Sequence, residues 1–259
     1  MIIYFSGTGN TRHCAEALAQ KLGETTFEIK GGMLLAPSLS TLTSNDRRIL
    51  WMFPVYSWGI PPVVESFIRR AGLEFAKDAV HHLVLTCGDD IGQTDRQWRK
   101  IMTERSLRTG KDFSVIMPNT YVLMKGFDVD SPEVENAKIE AASKRIDEIA
   151  ALLAEQSEAG EFSDVTRGRF AGIKSRVIYP WFVRHAMSPK PFHPTDQCTG
   201  CGLCVRSCPL GNITITGNSR PHWSNACALC LRCYHICPFH AVAYGNKTAD
   251  KGQYRRFLK

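Results

Sequence analysis

The chain has 259 residues, 44% apolar and 22% charged, enough to bury one large or two smaller cores and too ordinary a composition for wholesale disorder. Its formal charge of +7 invites a nucleic-acid reading that has to be weighed against any anionic group the chain binds. No run of about 18 apolar residues occurs, and the opening MIIYFSGTGN lacks the basic and long apolar regions of a secretory leader, so no membrane span and a cytoplasmic location are expected.

The first residues read as an apolar strand, followed by Ser6-Gly7-Thr8-Gly9-Asn10-Thr11 and a helix with Ala15, Leu18, Ala19 and Leu22 on one face, ended by Gly23. A glycine- and hydroxyl-rich turn between strand and helix is a phosphate cradle, with backbone N–H groups and the helix N-terminus facing the anion. No lysine follows as in a nucleotide P-loop, and G-x-G-x-x-G is absent, so an uncharged cradle for a phosphate monoester such as that of FMN is expected. Cys14 is expected in the core and His13 beside it at the surface.

Further strands are predicted over 26–30, 49–55, 82–87 and 113–117. Helices are predicted over 61–71, 94–107 and 133–153, the last with Ile139, Ala142, Ile146, Ile149 and Leu153 along one face and Ser131-Pro132 at its start. Strands alternating with helices predict an α/β fold, a doubly wound sheet of five parallel strands covered on both faces. Two loops at the carboxyl edge stand out, Pro54-Val55-Tyr56-Ser57-Trp58-Gly59 and Thr86-Cys87-Gly88-Asp89-Asp90. Asp89 and Asp90 read either as charges that lower a bound redox group's potential or as a solvated turn. Cys87 reads as a small buried strand-end residue.

From 156 the character changes. Residues 156–164 are polar and acidic, with Glu158, Glu161 and Asp164. Arg167 to Lys190 holds six basic residues and no acidic one, interleaved with Phe170, Ile173, Val177, Ile178, Trp181 and Phe182. Pro180 is expected to interrupt any helix there. Three readings stay open: a connector packed on what flanks it, peripheral contact with an anionic membrane, or nucleic-acid binding. The tail from Gly245, with Lys247, Lys251, Arg255, Arg256 and Lys259, is expected to be a frayed basic end or a docking surface for an acidic partner.

Between these lie eight of the ten cysteines. Cys198, Cys201, Cys204 and Cys208-Pro209 form one run, and Cys227, Cys230, Cys233 and Cys237-Pro238 the other. Each is C-x2-C-x2-C-x3-C-P, a spacing of cubane iron–sulfur ligands in which the fourth cysteine serves the other cluster. One 4Fe–4S cluster is therefore expected on Cys198, Cys201, Cys204 and Cys237, and a second on Cys227, Cys230, Cys233 and Cys208. Two zinc sites are the competing reading. Two anionic clusters and a phosphate would offset much of the apo chain's positive charge, so no nucleic-acid partner is expected.

The cysteine-rich stretch resembles bacterial two-cluster ferredoxins over about residues 195–245, and residues 1–155 resemble the flavodoxins through Ser6–Thr11 and the two later loops. The resemblance implies an FMN-binding domain (1–155), a connector (156–194), a small α+β ferredoxin domain (195–245) and a tail (246–259). It implies that Ser6–Thr11 hold the phosphate while Pro54–Gly59 and Thr86–Asp89 flank the ring. Many flavodoxins stack a tyrosine from the fourth-strand loop on the flavin; here that loop has no aromatic, and Gln93 follows Gly92. The uncovered side is expected to receive the ferredoxin domain or a partner. No Ser-His-Asp or paired-carboxylate set is found, so no catalytic residue is assigned. The expected function is single-electron transfer between clusters and FMN, linking a low-potential donor to a partner protein. The alternative is a flavin-dependent reductase of a small substrate.

Overall fold

The computed structural model describes residues 1–31, 48–73, 76–154, 162–217 and 219–258. Residues 155–161, with the acidic Glu158 and Glu161 of the connector, and Lys259 of the tail lie outside the described residues.

The N-terminal half is a parallel sheet in the order β2-β1-β3-β4-β5-β6. Its strands are β1 (Ile2–Tyr4), β2 (Thr26–Glu28), β3 (Arg48–Pro54), β4 (Val80–Cys87), β5 (Arg108–Ile116) and β6 (Ser163–Asp164). Ile2, Ile3 and residues 49–53 are buried without alternation, as a strand covered on both faces requires. One face carries Ile3, Trp51, Phe53, Leu83 and Leu85 under α2 (Pro62–Arg70) and α3 (Thr94–Glu104). The other carries Ile2, Leu50, Met52, Val84 and Phe113 under α1 (Asn10–Leu22) and α4 (Pro132–Ala154), whose Ala142, Ile146, Ile149 and Leu153 form the buried stripe. The expected five-stranded sheet gains a sixth strand because the connector returns beside β5, pairing Asp112 with Ser163 and Phe113 with Asp164. Two residues are too short a run to show a period in sequence.

The connector does not break at Pro180. Short α turns, α5 (Ala171–Ile173) and α6 (Tyr179–Trp181), alternate with π turns at Lys174–Ile178 and Phe182–Ala186, and the chain stays helical throughout. A wider π turn ahead of the proline moves the preceding carbonyls off the pyrrolidine ring, relieving the clash that would break an α-helix.

The C-terminal unit is a duplicated half-unit. Two antiparallel strand pairs, β7 (Phe192–Pro194) with β10 (Val242–Tyr244) and the hairpin β8 (Ile213–Ile215) with β9 (Pro221–Trp223), accompany two five-residue helices, α7 (Leu203–Ser207) and α8 (Arg232–Ile236). Phe192 stacks on Trp223 with ring centres 5.5 Å apart.

Two histidines on β4, His81 buried and His82 half-buried, make the sheet acid-sensitive. His81 Nδ1 accepts the Trp51 indole N–H at 3.0 Å and its Nε2 donates to the Ala76 carbonyl at 3.0 Å. His82 Nδ1 accepts the Lys111 amide at 2.9 Å. Burial lowers both to about 4, with Arg48 and Lys111 adding to the effect at His82. Between the ordinary value of 6.5 and about 4 the unfolded chain binds protons that the folded chain refuses. Stability is therefore lost as pH falls through that window, by up to about 1.4 kcal/mol per unit for each histidine. Thermal melts by circular dichroism from pH 7.5 to 5 should show this slope, and His82→Gln, which keeps an acceptor for Lys111, should reduce it. An unchanged slope would remove His82 from the account.

Candidate functional site

The eight clustered thiols sort into two holes. Cys198, Cys201, Cys204 and Cys237 line one, and Cys208, Cys227, Cys230 and Cys233 line the other, each about 20 Å³. Three thiols of each set come from one run and the fourth from the other. The crossing arises because α7 and α8 carry the chain from the third cysteine of a run toward the opposite hole, where Pro209 or Pro238 turns it.

The two holes differ. The middle cysteine loop of the first run uses glycine on both sides of Cys201, at φ 70° and 72°. The second run places Leu229 and Leu231 at the matching positions around Cys230, at φ 52° and 60°. A left-handed leucine costs about 1–2 kcal/mol, and both side chains are buried, so packing offsets the strain. Cys201 is exposed, whereas Cys233 is buried. The inner hole is also richer in donors to sulfur. Trp223 Nε1–H points at Cys233 Sγ at 3.4 Å, the Leu229 amide at Cys227 at 3.3 Å and the Asn212 amide at Cys208 at 3.4 Å.

The donor set fits iron–sulfur cubes. Four thiols surround each hole, and among the described residues no three His, Cys, Asp or Glu side chains converge as one ion would need. The buried Arg232 lines the inner hole with its Nε lacking a hydrogen-bond partner, a cation suited to an anionic cluster. Without iron, burial pushes the Cys230 thiol up to about 12, so its thiolate depends on the metal.

A third, larger cavity of about 190 Å³ opens at the carboxyl edge of the sheet. Ser6, Gly7, Thr8, Asn10 and Thr11 line it, as do Pro54, Val55, Tyr56, Ser57, Trp58, Thr86, Cys87, Gly88 and Asp89. Of the residues expected there, Gly9 and Gly59 stand outside. Gly9, at φ 98°, lies under the tail, where a Cβ would sit 2.4 Å from the Phe257 carbonyl. Gly59 lies under the connector, where a Cβ would sit 2.3 Å from the Tyr179 ring. The loop before it closes by reciprocal Tyr56–Gly59 backbone bonds of 3.0 and 3.1 Å, with Ser57 and Trp58 both left-handed. Two successive non-glycine residues in that region are strained. The connector holds the turn: Ser175 Oγ donates to the Trp58 carbonyl at 2.7 Å, and the Lys174 ammonium lies 4.8 Å from the Trp58 ring centre.

The cavity fits a phosphate monoester on an aromatic ring system. The first turn of α1 faces it through Asn10 and Thr11 without a lysine, and Tyr56, Trp58, Tyr121, Phe127 and Phe182 supply ring faces. Residues 1–125 match the flavodoxin domain family, and residues 190–238 match the 4Fe-4S dicluster domain family. The chain joins a flavodoxin domain to a 4Fe-4S dicluster domain. It is an electron-transfer protein of FMN and iron–sulfur type. Among solved structures it is similar to a Trp repressor binding protein from Bacillus subtilis, at 14% identity over 61% of this chain and 100% of that one, TM-score 0.42. It is also similar to two-electron reduced flavodoxin of Megasphaera elsdenii, at 19% identity over 56% and 99%, TM-score 0.35. No curated protein sequence matches the chain.

The dicluster domain meets the flavodoxin domain at the first and third strand loops. Leu229, Cys230 and Leu231 line the large cavity, and a Cβ on Gly7 would stand 2.8 Å from Cys230 Cβ. The expectation that the fourth-strand loop receives it is corrected. That side is taken by the connector, whose Lys174 pairs with Asp90 at 2.6 Å and whose Ser175 accepts the Gln93 amide at 2.7 Å. Asp90 is thus clamped by the connector, and both acidic residues of the pair line the cavity. Aromatic cover missing from that loop comes from Tyr121 and Phe127 after β5 and from Phe182 of the connector. Sequence reasoning missed all three, since no local pattern ties them to the cavity.

Two other expectations change. The tail is not frayed: Tyr254 is buried and donates to Asn10 Oδ1 at 2.6 Å, while Phe257 stacks on His13 at 4.0 Å. His13 is accordingly half-buried and burial lowers its pKa. Cys14 and Cys87 are core thiols, each pushed up to about 12 by burial.

Trp223→Phe keeps the stacking on Phe192 but removes the donor to Cys233. Donors to cluster sulfur favour the reduced, more negative form, so a redox titration should show one cluster at lower potential and the other unmoved. Equal shifts at both would contradict the assignment of Cys233 to a single hole.

Proposed function

We propose that the protein passes single electrons between two 4Fe–4S clusters and one FMN, and so links a low-potential donor to a redox partner. The observation that carries this reading is Cys230, which lines both the inner cluster hole and the large cavity. Bound there, FMN supplies two-electron capacity and each cluster single electrons. The residues of this chain set the order of the groups. The exposed Cys201 marks the outer hole as the contact for outside partners, the set of Cys208, Cys227, Cys230 and Cys233, which shares Cys230 with the large cavity, stands next, and Ser6–Thr11 with the loops at Tyr56 and Gly88 hold the flavin. Ser6, Gly7, Thr8, Asn10 and Thr11 would take its phosphate end. Tyr56, raised well above its ordinary value by burial and by Cys230 and Cys227, stays protonated beside them.

Anaerobic purification followed by iron, sulfide and flavin analysis tests this. About eight iron, eight sulfide and one FMN per chain support it. Zinc without sulfide would sink it. Full iron with no flavin would leave a ferredoxin whose N-terminal domain is a docking module.

A further inference from the structure

The connector presents two opposite faces. One is bound to the flavodoxin loops through Ser175, Tyr179 and Phe182: the Tyr179 hydroxyl donates to the Ile60 carbonyl, and Ser175 and Phe182 are buried. The other face is bare and apolar. Phe170 is 68% exposed, Ile173 57%, Val177 62% and Trp181 60%. These residues follow one another at three- and four-residue steps, so they form one ridge along the helical segment.

The charge beside this ridge has one sign. From Val165 to Thr195 the sequence contains no aspartate or glutamate. Arg167 and Lys174 are spent on Asp95 and Asp90, but Arg169, Arg176, Arg184 and Lys190 are exposed. A convex ridge of large apolar side chains edged by arginine, with a tryptophan among them, is the form of a helix that lies in the interface of a bilayer. Encounters between electron-transfer proteins, by contrast, bury little surface and need no protruding apolar ridge. On the opposite, bound face Phe182 lines the large cavity together with Met124 and Phe127, so the same helical segment carries the ridge outward and part of the cavity wall inward.

We propose that the ridge Phe170–Ile173–Val177–Trp181 with its flanking arginines docks the protein on an anionic lipid surface. No membrane crossing is involved: among the described residues no helix is long and apolar enough for one. The ridge inserts at headgroup depth and the arginines sit among the phosphates. The binding stands apart from the electron-transfer reading and holds whichever cofactors the chain carries.

Co-sedimentation of the full, anaerobically prepared protein with vesicles tests it. Vesicles of phosphatidylcholine with 30% phosphatidylglycerol, roughly the anionic content at which surface potential becomes appreciable, should pull the protein down, and pure phosphatidylcholine far less. Binding should weaken as salt is raised. Val177→Ser with Trp181→Ser should lower partitioning by about 100-fold or more, and Arg176→Gln with Arg184→Gln by about tenfold. All four positions are exposed, so cluster absorbance and circular dichroism should be unchanged in both variants. Three results would overturn the proposal. The protein stays in the supernatant with anionic vesicles at low salt; the serine variant binds as well as the parent; or sedimentation velocity shows the ridge consumed in a dimer that the serine variant abolishes.

Discussion

Stripping iron from the protein should weaken FMN binding by about 5- to 150-fold, the usual range of coupling between two sites in one domain pair. The reason lies in α8. This five-residue helix carries Cys233 of the inner hole and ends at Cys237 of the outer one. Between them His235 is fully buried, and it is bonded at both nitrogens. Its Nε2–H donates to the Thr120 carbonyl at 2.8 Å, and its Nδ1 accepts the Tyr254 amide at 3.0 Å. Thr120 belongs to the loop that lines the large cavity. Tyr254 in turn donates through its hydroxyl to Asn10, whose side-chain amide donates to the Pro118 carbonyl at 2.9 Å. Two walls of the large cavity thus hang on the helix that carries these cysteines. When iron is lost, burial no longer has metal to hold the thiolates, α8 loosens, and Asn10 and Thr120 lose their anchor. Fluorescence titration of FMN into loaded and chelator-treated protein measures the effect, and by linkage FMN should slow iron loss to a matching degree. Tyr254→Phe, which deletes one bond worth about 1 kcal/mol, should reduce the coupling and leave iron content intact. Equal FMN affinity with and without iron would show that α8 does not reach the cavity.

The parts of this arrangement that were legible in sequence are those set by local chemistry. The C-x2-C-x2-C-x3-C-P runs carry the crossed ligand sets in their spacing, and both holes contain the thiols so assigned. Ser6, Gly7, Thr8, Asn10 and Thr11, with Pro54–Trp58 and Thr86–Asp89, were legible as cavity-lining residues because each stretch ends an apolar strand, and strand ends of a parallel sheet meet at one edge. What was not legible is non-local. Tyr254 reaches Asn10 across 244 residues of chain, and a basic, polar tail gives no sign that its tyrosine is buried. Pro180 reads as a helix breaker because the rule presumes α geometry, and the π turns evade it. Leu229 and Leu231 look like ordinary helix or strand formers. Their left-handed backbone follows only from superposing the second cysteine run on the glycines of the first. Gly9 reads as a cradle residue and Gly59 as part of a loop flanking the ring, yet each glycine has another segment lying on it.

Gly7→Val should slow electron passage between the dicluster domain and the flavin by about tenfold or more. Gly7 lies against the inner cysteine loop where the two domains meet at the cavity. A Cβ there would lie 2.8 Å from Cys230 Cβ, 3.2 Å from the Cys230 carbonyl and 3.1 Å from the Tyr56 hydroxyl. Neither backbone nor a cluster ligand can yield as a surface side chain does, so valine must drive the domains apart. Its backbone has no left-handed requirement, and the substitution therefore acts through contact and not through local strain. The bonds that hold the dicluster domain from the far side, at His235 and Tyr254, remain, so the variant should stay folded with its iron. Electron transfer weakens steeply as the two groups separate, so a displacement of the dicluster domain reads out directly as a lower rate. Anaerobic stopped-flow measurement after reduction of the clusters follows flavin absorbance directly. Iron and sulfide content serve as the control, and Cys230→Ser gives the case in which the ligand itself is altered. If Gly7→Val keeps its iron and its rate, the electrons do not pass by way of Cys230, and the contact between Gly7 and the inner cysteine loop serves packing alone.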